Sequence, residues 1–407
     1  MIEIVDKTLC CGCSACVQRC PKKCISLCDD IEGFSYPKVD ESLCIDCGLC
    51  QRVCPVLNQS PKRKPLQVLA LKNRNETVLL NSSSGGAFTI LAEQVIANGG
   101  VVFGARFDAN YNVVHDFTET AGGLSLFRGS KYVQSTIGDC YLRAEAFLKA
   151  GRDVMFTGTP CQILGLKKYL RKDYENLLAV DFVCHGVPSP KVWQRYLNDT
   201  LQHHGAVRKN SVSSSLNEIP KISGVSFRDK SEGWQKYGFL LSVESAFRAD
   251  KNTVLPSINN KNNEEIREPF YKNLYMRAFL ADFILRPSCY ACPAKGGSSC
   301  SDVTLGDFWG IERENPSLFD DRGVSLVMIH NSKYSAIFHN CDAVEMSYTS
   351  ALNGNPSIEY PVRKPINRPF FWFLFSNGRT LSHILWMCQS SNLFARLCRF
   401  VYRKLKA

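Results

Sequence analysis

The stretch CCGCSACVQRCP at residues 10–21 returns 34 residues later as CIDCGLCQRVCP at residues 44–55. Cys10, Cys13, Cys16 and Cys20 give the spacing C-x2-C-x2-C-x3-C before Pro21, and Cys44, Cys47, Cys50 and Cys54 repeat it before Pro55. Three thiolates two residues apart wrap one corner of an iron–sulfur cubane. The fourth, opening the next segment, points to the other cluster. The spacing therefore predicts one [4Fe-4S] cluster on Cys10, Cys13, Cys16 and Cys54, and a second on Cys44, Cys47, Cys50 and Cys20. A pair of zinc sites is the alternative, but zinc takes separated C-x2-C pairs and fits three thiols at x2-x2 poorly. Cys11, Cys24 and Cys28 fall outside the repeat and read as small buried hydrophobes.

Eleven of the 20 cysteines of this 407-residue chain lie between Cys10 and Cys54. The opening MIEIVDKTLCCGC has no basic-then-apolar leader, so a reducing, cytoplasmic setting is expected, where clustered cysteines mean metal rather than disulfides. No run of 18 apolar residues suggests a membrane span. With 45% hydrophobic and 21% charged residues, the composition is that of a globular protein with ample core material. The formal charge of +11 is uneven: residues 1–58 hold 6 Lys and Arg against 8 Asp and Glu, so the remainder carries +13. A basic body suits nucleotide pyrophosphates, acidic redox proteins or lipid headgroups, and equally a solvated surface; no nucleic acid is expected as a partner.

The segment NQSPKRKPLQ (58–67) reads as a linker. From Val68 the pattern alternates strands (68–72, 101–107, 153–158, 177–184) with helices (85–100, 161–171, 190–205). Strand-like runs ISGVSFRDK and YGFLLSVES follow, then a long helical stretch, REPFYKNLYMRAFLADFIL, leads into Cys289. INNKNNEE (258–265) reads as a surface loop. The class expected is α+β or α/β: a dicluster ferredoxin domain at 1–58, a linker at 59–67, a mixed-sheet α/β domain at 68–345 and a basic aromatic extension at 346–407. No G-x-G-x-x-G and no G-x4-G-K-[ST] is present. Three junctions rich in small donors are: NSSSGGAF (81–88), RGSKYVQS (128–135) and TGTPCQ (157–162). Serine hydroxyls and glycine amides at a helix start bind phosphate oxygens, and they also cap helices for structural reasons. Pro160 suits a first helical turn, placing Cys161 at a helix N-terminus that favours a thiolate, as metal ligand or nucleophile. Cys184 closes the next strand. Ends of consecutive parallel strands share an edge, so Cys161 and Cys184 are expected to meet.

Together NSSSGGAF, RGSKYVQS, TGTPCQILGLK, DFVCHGVPSPKVW, FRDKSEGW and SCYAC…SDVTLGDFWG resemble the beta subunit of coenzyme F420 hydrogenase and the coenzyme F420 dehydrogenases. The likeness is to bacterial members with a fused two-cluster ferredoxin domain, and it runs from the cysteine repeat to about Gly310. It implies FAD, one further [4Fe-4S] cluster, and electron transfer between the clusters and a two-electron acceptor. By position it implies FAD contacts at Ser83, Ser84, Gly85, Gly86, Ser130, Lys131, Tyr132, Gln134, Ser135, Thr157, Gly158 and Thr159. It also implies cluster ligands at Cys161, Cys184, Cys289 and Cys292. A C-x2-C zinc knuckle closed by Cys300 stays open beside this. His185 reads as a hydrogen-bonding loop residue, and Asp302 and Asp307 as loop caps or orienting groups.

The functional expectation is an iron–sulfur flavoprotein oxidoreductase drawing on a redox protein or reduced ferredoxin and serving a small-molecule acceptor, coenzyme F420-like or another. A relay subunit docked on a partner enzyme, with no substrate of its own, is the alternative. The tail NLFARLCRFVYRKLK (392–406) places Leu393, Leu397, Phe400, Val401 and Leu405 on an apolar side, with Arg396, Arg399 and Arg403 on another. It suits peripheral membrane contact or packing on the body, where the rings of RPFFWFLF (368–375) also need burial.

Overall fold

The cysteine repeat is a repeat of backbone as well as of sequence. Ser14 and Gly48, 34 residues apart, are both left-handed (φ +63° and +66°), as are Gly12 and Asp46 (φ +70° and +47°). Each pair turns the cysteine loop into a short helix, Ala15–Arg19 in one half and Leu49–Arg52 in the other. A two-stranded hairpin, Ile25–Asp29 with Ser35–Val39, lies between the halves. The structure, a computed structural model, describes residues 1–211, 221–244, 263–339 and 341–406.

The body is built on an eight-stranded mixed sheet. Its order is Asp342–Glu345, Gln67–Lys72, Ser325–Ile329, Val303–Asp307, Leu177–Phe182, Val154–Thr157, Val101–Phe107 and Val113–Thr118. The four strands from Val303–Asp307 to Val101–Phe107 are mutually parallel, and the outer pairs are antiparallel. Parallel strands buried on both faces need near-continuous apolar runs, and VMFT and LLAVD supply them. A three-stranded antiparallel sheet, Ile222–Asp229, Gly238–Glu244 and Asn263–Pro269, stands beside it.

The long helix expected across residues 267–285 is not there. Arg267–Pro269 completes a strand, and the helix is only Leu274–Leu280, started by the Asn273 side chain accepting from the Met276 amide. Pro269 and the Asn273 cap set the start; left-handed Asp282 (φ +61°) prevents continuation. Of the loop expected at 258–265, residues 258–262 lie outside the described residues, and 263–265 open that strand.

Trp193, Phe227, Phe239 and Tyr275, all fully buried, centre an aromatic core that also takes Phe370, Phe371, Trp372 and Phe375 from the Arg368–Ser376 helix. The basic aromatic segment thus shares the body's core. Each such ring removes on the order of 200 Å² from water, about 5 kcal/mol of gross burial. Ion pairs and hydrogen bonds seat the cysteine-rich unit on the body: Arg19 on Glu145 (3.2 Å), Arg368 on Glu32 (2.9 Å) and the Tyr141 amide on Gln18 (3.0 Å). The linker is stitched down too, its Arg63 amide donating to the Gly296 carbonyl at 2.9 Å. Among the described residues no helix is long and apolar enough to cross a membrane.

Candidate functional site

The two cysteine sets of the repeat exchange their fourth members in space. Cys20 joins Cys44, Cys47 and Cys50 around one small cavity. Cys16 is pushed up to about 12 by burial, then by the thiols of Cys10 and Cys54; at Cys13 a hydrogen bond with Cys11 lowers the thiol, but burial and the thiols of Cys16 and Cys10 leave it raised. Thiols crowded and buried in this way resist ionisation until a cation compensates them. The three extra cysteines divide. Cys11 and Cys24 are buried, as expected, but Cys28 is exposed, because four of the five residues of its strand face solvent. Cys24 also shares the cavity of the second set, its sulfur 3.4 Å from that of Cys20.

Four distant cysteines converge on one another beside the repeat, Cys161 lying next to Cys11. Thr159 caps the Pro160–Leu170 helix in a capping box with Gln162, with Pro160 in the first turn, so Cys161 stands at the helix N-terminus. Cys184 follows the Leu177–Phe182 strand. Cys289, in the Pro287–Ala291 turn, accepts from the Val187 amide at 3.4 Å. Gly186 permits that approach: a Cβ there would meet Leu285 at 2.8 Å and Cys289 at 3.3 Å. Burial raises the Cys184 thiol far above its usual range, and Cys289, Cys161 and Cys292 are the thiols that add to it. Burial likewise pushes Cys289 to about 12 and Cys292 to about 11. Cys300 turns aside, its thiol directed at the Ser298 carbonyl (3.7 Å). Among the described residues no three His, Cys, Asp or Glu side chains are spaced to hold a single metal ion.

The Cys161 thiol has a close neighbour from the cysteine repeat. The Cys11 thiol beside it, then burial, raises it above its usual range. Cys11 therefore bridges the repeat and the distant set. The helix behind Cys161 packs equally close: a Cβ on Gly165 would stand 2.8 Å from the Cβ and 3.0 Å from the sulfur of Cys13.

On the other side of Cys184 a cavity of about 770 Å³ opens at the carboxyl edge of the parallel strands, the edge where open α/β sheets bind ligands. The three small-residue junctions meet there. Ser83, Ser84, Gly86, Ser130, Lys131, Tyr132, Ser135, Thr157, Gly158 and Thr159 line it. The Ser130 amide donates to Ser83 Oγ at 2.7 Å and Gln162 Nε2 to Ser135 Oγ at 2.9 Å, tying the junctions together. Left-handed Gly86 (φ +83°) starts the Ala87–Ala97 helix, whose N-terminus faces the cavity. Two residues stand elsewhere. Gly85 is pressed on the sheet, where a Cβ would lie 2.1 Å from the Leu71 carbonyl oxygen. Gln134 turns to the cysteine repeat, donating to the Cys11 carbonyl at 3.2 Å.

Sequence reading overlooked several residues of this site. Arg228 is buried, paired with Asp307 at 2.8 Å and sandwiched between Tyr237 (4.1 Å) and Trp309 (5.0 Å). Asp307 is thus an orienting group. Asp302 ties two strands rather than capping a loop, its carboxylate accepting from the Ala179 amide at 2.8 Å and its own amide donating to the Ala179 carbonyl at 2.7 Å. His185 is hydrogen-bonded, to Asp282 at 2.6 Å. Buried His115 meets the Thr157 carbonyl through Nε2 at 3.0 Å. Burial pushes it down to about 4, so it is neutral near pH 7; its Nε2 carries the proton, and Nδ1 is an acceptor with no partner among the described residues. Arg286 is 1% exposed, donates to the Cys10 carbonyl at 2.7 Å and has its guanidinium 3.6 Å from the Cys10 sulfur. Among the described residues it forms no ion pair with a carboxylate. The signal was the Arg between the helical stretch ending at Leu285 and the C-x2-C pair, which has no meaning until the chain is folded.

Residues 9–58 match the 4Fe-4S dicluster domain model, and residues 151–353 match the model for the C terminus of the coenzyme F420 hydrogenase/dehydrogenase beta subunit. No curated protein matches the chain. A chain from the xenon-derivatised F420-reducing [NiFe] hydrogenase complex of Methanosarcina barkeri aligns at TM-score 0.42 and 15% identity, over 74% of this chain and 97% of its own. That likeness is too distant to inform the site. With a dicluster domain at its N-terminus and the carboxy-terminal domain of the beta subunit behind it, the chain belongs to the coenzyme F420 hydrogenase/dehydrogenase beta subunit family.

Proposed function

We propose that the protein is an iron–sulfur flavoprotein oxidoreductase. In this reading Cys10, Cys13, Cys16 and Cys54 hold one [4Fe-4S] cluster, and Cys20, Cys44, Cys47 and Cys50 a second. Cys161, Cys184, Cys289 and Cys292 hold a third, and the cavity takes FAD. One observation carries it. Cys161 lies beside Cys11 of the ferredoxin loop while Cys184 lines the cavity, so the group of converging thiols reaches from one to the other. The donor set suits a cluster of soft thiolate ligands. The cavity suits FAD: its volume falls in the range of about 300–1,000 Å³ typical of cofactor sites. The Ala87–Ala97 helix start beside Ser83 and Ser84 suits a pyrophosphate, and the unpartnered Nδ1 of His115 and Nε of Arg228 await polar groups.

The clusters would supply one-electron steps and the flavin the exchange with a two-electron carrier. The chain's own residues hold these groups close and dry. Arg286 sets a fixed positive charge beside Cys10, and Arg228, clamped by Asp307 and two aromatic rings, sets another at the cavity wall. The acceptor is coenzyme F420, for which the family is named, or another two-electron carrier, and the electron source is a redox protein docking on the ferredoxin unit.

Anaerobic purification with flavin extraction tests this reading. Stoichiometric FAD, reducible through the clusters and reoxidised by an added two-electron acceptor, is expected. Brown protein with no extractable flavin would replace it with an electron relay serving a partner enzyme.

A further inference from the structure

The C-terminal helix, Leu393–Lys406, sits on the body by its less apolar face. Ala395 is fully buried, Arg399 donates to the Ser390 carbonyl at 2.7 Å, and Tyr402 donates to the Pro369 carbonyl at 3.1 Å. The Tyr402 ring lies 5.1 Å from Phe370 and 5.2 Å from Phe373. With Cys398 these residues recur at i, i+3, i+4 and i+7, one continuous face. The opposite face holds the large apolar side chains, and it is open to solvent: Leu393 is 80% exposed, Phe394 60%, Leu397 57%, Phe400 52%, Val401 46% and Leu405 81%. A helix stabilised only by its own protein turns such residues inward; a contiguous exposed apolar stripe marks an interaction surface.

Charge says what covers it. From Pro361 to the end the chain has 9 Lys and Arg and no Asp or Glu. Arg396 and Arg403, both exposed, flank the stripe on one side, and the Lys404 amine lies over the Phe400 ring at 5.9 Å, its stem along the apolar face and its charge free to reach outward. Fourteen residues extend about 21 Å, too short to span a bilayer but suited to lying in its interface. An apolar stripe flanked by Arg396 and Arg403, in a segment that holds no Asp or Glu, matches acyl chains beneath anionic headgroups. We propose that this helix docks the protein on an anionic lipid surface, a role independent of the redox reading.

Co-sedimentation of the full chain tests it. The protein should pellet with vesicles of phosphatidylglycerol and phosphatidylcholine at low salt, and about tenfold less with phosphatidylcholine alone. The variant Leu397→Ser/Phe400→Ser/Leu405→Ser, altered only at exposed positions, should keep the wild-type melting temperature and lose binding by about tenfold or more. Arg396→Gln/Arg403→Gln should weaken binding and flatten its salt dependence. Wild-type protein left in the supernatant at low salt would overturn the proposal. So would a triple variant that binds like wild type, or a dimer broken by the triple substitution in a protein indifferent to vesicles.

Discussion

Replacing Arg286 by glutamine removes a buried positive charge from beside Cys10. The guanidinium is 3.6 Å from the Cys10 sulfur, donates to the Cys10 and Ser35 carbonyls at 2.7 and 2.9 Å, and lies over the Tyr36 ring at 4.4 Å. Since it pairs with no carboxylate among the described residues, the thiolates and cluster of the first site are its counter-charge in our account. Adding an electron to that cluster deepens the charge Arg286 faces. At roughly 6 Å and an effective dielectric of about 20, the interaction is on the order of 3 kcal/mol. For a one-electron couple that is on the order of 100 mV. Arg286→Gln should therefore lower the first cluster's reduction potential by about that much, while Arg286→Lys, which keeps the charge, should hold most of it. An anaerobic redox titration followed by electron paramagnetic resonance separates the clusters. An unchanged potential, or an upward shift in Arg286→Gln, would refute the electrostatic role and leave the residue only its hydrogen bonds.

Cys20→Ala should damage the cluster held by Cys44, Cys47 and Cys50, since Cys20 shares their cavity; spectroscopic loss of the first cluster with the second intact would contradict the crossover. Gly165→Ala should loosen the seat of the ferredoxin loop by roughly 1–3 kcal/mol, because its Cβ would press on Cys13; faster bleaching of the visible absorbance in air reads it out. Burial pushes Asp181 up to about 6 from an ordinary 3.8. The folded state then holds the proton more tightly than the unfolded chain, so stability is highest below pH 3.8, falls as pH rises through about 6, and stays reduced above it. Asp181→Asn should recover up to about 3 kcal/mol at pH 7 and flatten the pH 4–6 slope in denaturant titrations; a less stable variant at pH 7 would show that the hydrogen bond from Thr304 outweighs the burial of the charge.

Local signals in the chain were read well. The C-x2-C-x2-C-x3-C spacing repeats in the backbone down to matched left-handed residues, and the small-residue junctions meet at one cavity although only TGTPCQ follows a parallel strand, NSSSGGAF following the Glu76–Leu80 helix and RGSKYVQS the Gly122–Leu126 turn. Pro160 and Thr159 start their helix where capping chemistry requires. What sequence could not supply were partners set by tertiary packing. Gln134 sits in the RGSKYVQS motif yet serves the ferredoxin loop, because its neighbour in space is Arg286, 152 residues away. Cys161 lies beside Cys11, a neighbour 150 residues away in sequence that no local pattern announces. The stretch from 267 to 285 has helical periodicity, but Pro269, the Asn273 cap and left-handed Asp282 cut it to Leu274–Leu280. The tail's apolar stripe was plain in the sequence; only the structure shows that the body buries the other face.

The count of iron in the full-length protein tests the central claim most directly. Prepared anaerobically, the chain should carry about twelve irons with matching sulfide, since each cubane holds four. Cys289→Ser should drop that to about eight with the ferredoxin signals intact, and Cys300→Ser should leave about twelve. A wild-type protein with about eight irons and one zinc, or iron lost from Cys300→Ser but not from Cys289→Ser, would contradict the account.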